Sequence, residues 1–178
     1  MLRSLPTQIA TLGALRHPNI IQLYGITSPE STENSSDLYM VSEFCAGGDL
    51  LAYMKSPFFQ EVEEFVRVIL EILSGIVYLH GCGIAHRDLK PANVLILTGE
   101  GGGTVKLADF GLAKSQQSCK TVGLGTPAYM APELFQEDDG DIDAFKTDIY
   151  SCAVIIFQLW HKESPWGSMS PHKIMSKV

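Results

Sequence analysis

The chain lacks any cluster of five or six basic residues: 13 lysines and arginines are scattered among 20 aspartates and glutamates, for a net charge of −7. A nucleic-acid binder that gains affinity by neutralising phosphates needs the opposite balance, so no nucleic-acid partner is expected. Long apolar runs are also lacking. The longest surrounds Ile149 to Trp160, is interrupted by Gln158, and falls short of the roughly 18 residues that cross a bilayer. At the N-terminus, MLRSLPTQIATLG has polar residues where a signal peptide carries an apolar block of about 7–15 residues. These absences predict an intracellular, cytoplasmic chain with no membrane span in this segment. Cysteine is sparse: Cys45, Cys82, Cys119 and Cys152 form no C-x-x-C pair, which indicates neither a zinc cage nor a redox dithiol. Reduced thiols are expected, with Cys152 a small core hydrophobe and Cys119 the thiol that exposure would make reactive. What is present is 46% hydrophobic residues over 178 positions. That length suits one domain burying roughly two-thirds of its unfolded surface, which excludes disorder.

Leu2, Leu5, Ile9, Leu12 and Leu15 recur at helical spacing, and Pro18 ends that helix. Ile20 to Thr27 and Leu38 to Phe44 are apolar and β-prone around the polar SPESTENSSD, a hairpin signal. Gly47-Gly48 breaks the chain before one or two helical turns, Leu50 to Lys55. Val62 to His80 is the clearest helix, apolar around most of its circumference, with Glu63, Arg67 and Glu71 four apart. That stripe is expected to face water and to form weak i,i+4 ion pairs. Strands Val94 to Leu97 and Val105 to Ala108 flank TGEGGGT, which has no following Lys-Ser/Thr and opens no helix, and so reads as a flexible hairpin link instead of a phosphate loop. Gly111 to Glu133 lacks periodicity and is expected to be functional or mobile. A second buried helix is predicted from Thr147 to Trp160, and another begins near Pro171. Strands first and mainly helices afterwards predict an α+β fold.

Three segments carry the chemistry: HRDLKPANVL (His86 to Leu95), DFGLAK (Asp109 to Lys114) and GTPAYMAPE (Gly125 to Glu133). Taken singly, Asp88 would be a solvated loop aspartate, Asn93 a turn residue after Pro91, and Asp109 a strand-end cap. Taken together, their order and the 21 residues from Asp88 to Asp109 resemble the catalytic loop, metal-binding turn and activation segment of the protein kinase superfamily. The resemblance runs from about Leu5 to Val178.

It implies a protein-kinase-like fold: residues 1–42 a remnant of the N-lobe, 43–49 the hinge, and 50–178 an incomplete C-lobe. It also implies ATP and Mg²⁺ as cofactors and a protein as substrate. Phosphoryl transfer asks the protein mainly to position the acceptor and neutralise charge. Asp88 would accept the proton of the acceptor hydroxyl, a role worth roughly 10²–10⁴-fold. Lys90 would reach the transferring phosphate as a point charge. Asn93 and Asp109 would supply oxygen ligands to Mg²⁺. His86 and Phe110 would pack against Leu12 and Leu23. Asp148 would cap its helix, anchor the catalytic loop through backbone N–H groups, or do both.

MVSEFCAGGDL resembles the hinge, although alone it could be an edge strand ending in a Gly turn. By position Ser42 would guard the back pocket, the backbones of Glu43 and Cys45 would pair with adenine, Asp49 would face the ribose, and Leu95 would floor the base. RDLKPAN and GTPAYMAPE, with Thr126 placed to bridge Asp88 and Lys90, resemble serine/threonine kinases; DIYSCAVIIFQLW and LRHPNIIQLYG resemble the tyrosine-kinase-like branch. Arg87 implies regulation by phosphate on Ser115, Ser118 or Thr121, with Thr121 the best placed.

The departures from the family pattern are as specific. Neither the Gly-rich cover nor the phosphate-holding lysine precedes Met1. The position of the lysine's partner glutamate, nine residues before His17, holds Gln8, which cannot neutralise a lysine. The late helices, one of which would pair an arginine with Glu133, do not follow Val178. Ala153 replaces a usual glycine. The expectation is an incomplete piece of an ATP-dependent serine/threonine kinase that transfers little phosphate by itself, and the alternative is a catalytically impaired binding or scaffolding module.

Overall fold

Val68, Ile72, Gly75, Ile76 and Leu79 fall on one face of a helix, and in the computed structural model they are the buried residues of a helix spanning Val62–Gly81. The structure describes residues 12–28, 39–99, 102–115, 126–135 and 142–177. Residues 12–14 are helical, followed by β1 (Leu23–Thr27), β2 (Tyr39–Ser42), α1 (Leu50–Tyr53), α2 (Val62–Gly81), β3 (Ile84–Ala85), β4 (Val94–Gly99), β5 (Gly102–Leu107), β6 (Lys114–Ser115), α3 (Ala144–His161) and α4 (Pro171–Met175). The rest of the predicted first helix, SPESTENSSD apart from Ser28, and Ser118, Cys119 and Thr121 lie outside the described residues.

There are three antiparallel ribbons among the described residues, β1·β2, β3·β6 and β4·β5, and β3 and β5 pack on α2. The predicted α+β class holds, and so does the first hairpin, with Thr27 opposite Tyr39. The second hairpin is longer than expected, because pairing runs from Val94↔Leu107 out to Gly99↔Gly102. Most of TGEGGGT therefore belongs to the strands. β4·β5 lies on α2, where Gly75 has no side chain to spare: a Cβ there would stand 2.8 Å from Leu107 Cδ1 and 3.1 Å from the Asn19 carbonyl. That close approach lets Asn19 and Ile21 bond Leu107 on both sides, at 2.9 Å each, so the segment after Pro18 joins the sheet edge. One core results, with Leu12, Leu15, Ile20 and Leu23 in the same cluster as Ile72, Leu79, Leu107, Phe110 and Ile155.

The solvent-facing stripe of α2 is the predicted one only in part: Glu63 is exposed and Arg67 forms the expected i,i+4 pair with Glu71, but the exposed face extends over apolar residues and Glu71 turns inward. Val62, Val66, Leu70 and Val77 are exposed, while Arg67 pairs with both Glu64 and Glu71 and Glu71 Oε2 accepts from Val105 N at 2.7 Å. The carboxylate turns inward because β5 presents an edge N–H that would otherwise be buried without a partner. Cys152 is buried as predicted, and burial raises its thiol to about 11. Among the described residues no helix is long and apolar enough to cross a membrane.

Candidate active site

The open end of the β4·β5 hairpin gathers the chemistry. Asn93 immediately precedes β4 and Asp109 lies two residues past β5, so register alone sets them side by side, and Ala108 N donates to the Asn93 carbonyl at 2.9 Å. Pro91–Asn93 forms a single 3₁₀ turn with proline at its start, where the missing N–H costs nothing. Within it, Asn93 Nδ2 donates to the Asp88 carbonyl at 2.8 Å and to Asp88 Oδ2 at 3.1 Å. Lys90 Nζ lies 2.6 Å from the same Oδ2 and 3.1 Å from Thr126 Oγ1. The bridge runs through Lys90, not through Thr126 as the sequence suggested.

The loop is fixed from beneath. Asp148 is buried inside α3, where Oδ2 accepts from His86 N and Oδ1 from Arg87 N, both at 2.8 Å. His80 Nε2 adds a third contact at 2.9 Å. The anchoring half of the expectation for Asp148 holds and the capping half does not: α3 starts three residues earlier than predicted, and its cap is Asp143, whose Oδ1 accepts from Phe145 N at 3.0 Å. Arg87 and Asp109 both adopt positive φ, 69° and 60°, a left-handed backbone uncommon for side chains of their kind and concentrated at functional sites.

His86 is fully buried, its ring 5.0 Å from that of Phe110. Burial holds its pKa below the ordinary value against the opposing pull of Asp148. The ring is therefore neutral, and the assignment that satisfies both nitrogens has Nε2–H donating to the Ala108 carbonyl at 3.0 Å while Nδ1 faces Asp88 N at 3.4 Å. Phe110, Leu12 and Leu23 are buried in one core cluster.

The chain leaving β2 is zipped onto β4. Gly47 N donates to the Ile96 carbonyl and Ile96 N to the Gly48 carbonyl, each at 2.9 Å, and Asp49 bridges Leu95. A Cβ on Gly47 would stand 2.7 Å from the Ile96 oxygen, so this contact requires glycine. The zipper sets the 43–49 segment beside half-buried Leu95. Asp49 Oδ1 caps α1 through Ala52 N at 2.8 Å. Ser42 is exposed at the end of β2. Burial and the adjacent Glu43 raise the Cys45 thiol, so it stays protonated near neutrality.

Glu43 holds a partner that sequence reasoning missed. Its Oε1 accepts from Gln22 N at 2.7 Å and pairs with Lys106 Nζ at 2.9 Å, with both side chains nearly buried. The turn Pro127–Tyr129 is tied to the helical region by Ser151 Oγ to the Tyr129 carbonyl, Tyr129 OH to Gln158 Oε1, and Trp166 Nε1 to the Ala128 carbonyl, at 2.7, 2.7 and 2.8 Å.

The donor set fits a hard cation. With both protons of its amide directed at Asp88, Asn93 keeps its oxygen unengaged among the described residues, and exposed Asp109 accepts only from Gly111 N, at 3.3 Å. An amide oxygen and a carboxylate suit Mg²⁺, which retains waters and bridges phosphates.

With this geometry in place, the family model for the protein kinase domain matches residues 2–178. The chain belongs to the protein kinase family. Calcium-dependent protein kinase 6 of Plasmodium berghei (strain Anka) is 38% identical over 175 residues, covering 96% of this kinase chain and 11% of the relative. CBL-interacting protein kinase 33 of Oryza sativa subsp. japonica is 33% identical over 183 residues, covering 100% of this chain and 38% of the relative. CBL-interacting serine/threonine-protein kinase 3 of Arabidopsis thaliana is 28% identical, covering 100% and 39%. The chain thus spans well under half the length of these curated relatives.

Proposed function

We propose that this kinase domain acts in transfer of the terminal phosphoryl group of ATP to serine or threonine hydroxyls of protein substrates. The observation that carries the reading is the Asp88–Lys90–Asn93 cluster, set beside Asp109 by the hairpin register. Asp88, whose Oδ2 is held by Lys90 and Asn93, would take the acceptor proton on its carboxylate. Lys90 is the cation for the transferring group, and Asn93 and Asp109 are the residues that would hold Mg²⁺, whose bound form neutralises phosphate charge. For the nucleotide we assign residues 43–49 as the hinge, with the Glu43 and Cys45 backbones for adenine, Asp49 for ribose, Leu95 as floor and Ser42 at the back. Residues 1–42 and 50–178 are then N-lobe and C-lobe parts. The acceptor class follows RDLKPAN and GTPAYMAPE, in keeping with the serine/threonine name of the Arabidopsis relative. Placement in the tyrosine-kinase-like branch rests on DIYSCAVIIFQLW and LRHPNIIQLYG alone; the relatives named above are calcium-dependent and CBL-interacting kinases.

Gln8, standing where the family pattern has glutamate, favours a second reading in which the domain binds partners and transfers phosphate poorly. Two measurements on the purified chain separate the readings: calorimetry with Mg²⁺ and a non-hydrolysable ATP analogue, and radiolabel transfer to serine, threonine and tyrosine peptides. Transfer to serine or threonine that Asp88→Asn abolishes, with analogue binding retained, supports the enzyme. Transfer that survives Asp88→Asn removes Asp88 as the base, and no transfer with intact folding supports the binding module.

A further inference from the structure

Four consecutive carbonyls, from Thr126 to Tyr129, each accept one bond. Tyr129 N donates to the Thr126 carbonyl at 2.9 Å and Met130 N to the Pro127 carbonyl at 3.3 Å, which closes the turn on itself. The other two are met from outside, the Tyr129 carbonyl by Ser151 Oγ at 2.7 Å and the Ala128 carbonyl by Trp166 Nε1 at 2.8 Å. These outside donors differ in kind. Ser151 stands inside α3 and also bonds the Thr147 carbonyl at 3.1 Å, so it belongs to the frame of that helix. Trp166 comes from the segment between α3 and α4, where its own N–H donates to Ser164 Oγ at 3.2 Å and its carbonyl accepts from Met169 N at 3.1 Å. From there the half-buried ring reaches back 38 residues to the middle of the turn, and an indole N–H can only donate. Thr126 opens that turn, and its Oγ1 accepts from Lys90 Nζ at 3.1 Å; the same Nζ holds Asp88 Oδ2.

We propose that Trp166 is a positioning residue: its indole N–H fixes the Ala128 carbonyl, and the turn so fixed places Thr126 against Lys90 and sets the fit of the acceptor beside Asp88. The statement about the acceptor rests on the function proposed above, whereas the placement of Thr126 does not. The turn transmits the constraint because it moves as a unit. Pro127 has its φ locked by the ring, and the Thr126 carbonyl is bonded to Tyr129 N across the Ala128 peptide, so a peptide plane released at Ala128 is felt at Thr126. At 3.1 Å the Lys90–Thr126 bond already lies toward the long end of the N–H···O range, which leaves little slack before it breaks.

The test is a double-mutant cycle in urea on the full chain. Trp166→Phe keeps an aromatic ring and deletes the N–H, and Thr126→Val deletes the hydroxyl that Lys90 bonds. Trp160→Phe makes the same deletion at a ring that is 60% exposed and serves as the control. We expect Trp166 and Thr126 to interact by about threefold or more in the unfolding equilibrium constant, and Trp160 and Thr126 to be additive. Additivity of Trp166 with Thr126, or an equal interaction from Trp160, overturns the proposal. In transfer to a serine peptide, Trp166→Phe should raise the KM for the peptide about fivefold while kcat and the KM for ATP hold. An unchanged peptide KM, or a loss spread over kcat and both KM values as a merely structural role would give, also overturns it. Absence of transfer by the parent chain would be a failure of the catalytic reading alone, and the cycle still decides whether Trp166 places Thr126.

Discussion

Asn93 spends both protons of its side-chain amide on Asp88, one on the backbone carbonyl at 2.8 Å and one on Oδ2 at 3.1 Å. The amide oxygen is thereby left without a partner among the described residues. In the proposed reading one residue both orients the base and offers an oxygen to Mg²⁺. Asn93→Ala deletes both functions along with two hydrogen bonds worth about 1 kcal/mol each. The expected outcome is a loss of about 2 kcal/mol in urea unfolding, with analogue binding that no longer strengthens as Mg²⁺ is added. A variant whose calorimetric Mg²⁺ dependence matched the parent would take Asn93 out of the metal site.

Asp148 carries three donors on one buried carboxylate. In Asp148→Ala the His86 and Arg87 N–H groups lose their acceptor at a site with little water to replace it. Each orphaned group costs about 1–3 kcal/mol, so a destabilisation of roughly 3 kcal/mol is expected. Asp148→Asn keeps one acceptor oxygen and should cost clearly less. Denaturant midpoints of the two variants, compared at equal slope, give the ordering.

Much of this site was legible because the motif residues are close in sequence: Asp88, Lys90 and Asn93 sit within one loop, and the strand pattern that follows brings Asp109 back beside them. The dual expectation for Asp148 resolved only with helix geometry, since a start at Ala144 moves that residue inside the first turns. Glu71 and Val66 were exchanged for a physical reason. A helix apolar on nearly every side has no periodic signal to say which face meets solvent, and the decision falls to the Val105 N–H it packs against. Lys106 was illegible in the same way. Its neighbours Val105 and Leu107 are fully buried, and what makes a buried lysine tolerable is a glutamate 63 positions earlier.

Acid should weaken the fold through His86. Burial places its folded pKa below the ordinary 6.5, so between the two values the unfolded chain binds a proton that the folded chain does not. Its contribution is complete above about pH 6.5 and is lost as pH falls through that value toward the folded pKa. His17, lowered by burial and by Lys106, acts in the same direction. The expected outcome is a falling urea midpoint from about pH 7 to about pH 5, and a shallower fall in His86→Phe, whose ring still packs beside Phe110.

The zipper between the proposed hinge and β4 admits no side chain at Gly47. Its Cβ would meet Ile96 O at 2.7 Å and Ile96 Cβ at 2.8 Å, atoms fixed by the Gly47–Ile96 and Ile96–Gly48 bonds. Gly47→Ala should cost about 1–3 kcal/mol as overpacking and push the 43–49 segment off Leu95, weakening adenine-analogue binding. Gly81→Ala, where nothing lies within 4 Å in a helical position, should be neutral or stabilising by under about 1 kcal/mol. Thermal unfolding and fluorescence titration with an adenine analogue separate the two.

Lys106 and Glu43 form an ion pair with side chains only 10% and 9% exposed, tying the start of the 43–49 segment to the strand that delivers Asp109. In such a place desolvation opposes attraction, so the pair's net worth is small while the loss of one partner is costly. Lys106→Met leaves the Glu43 carboxylate with Gln22 N as its remaining donor, and should destabilise by about 3 kcal/mol or more. Glu43→Gln alone removes the charge but keeps an acceptor for Gln22. The double variant retains that acceptor and buries no net charge, so it should recover most of what Lys106→Met loses. A double-mutant cycle in urea measures this directly: a coupling above about 1 kcal/mol is expected, and simple additivity would show that the two side chains stabilise the hinge independently of each other.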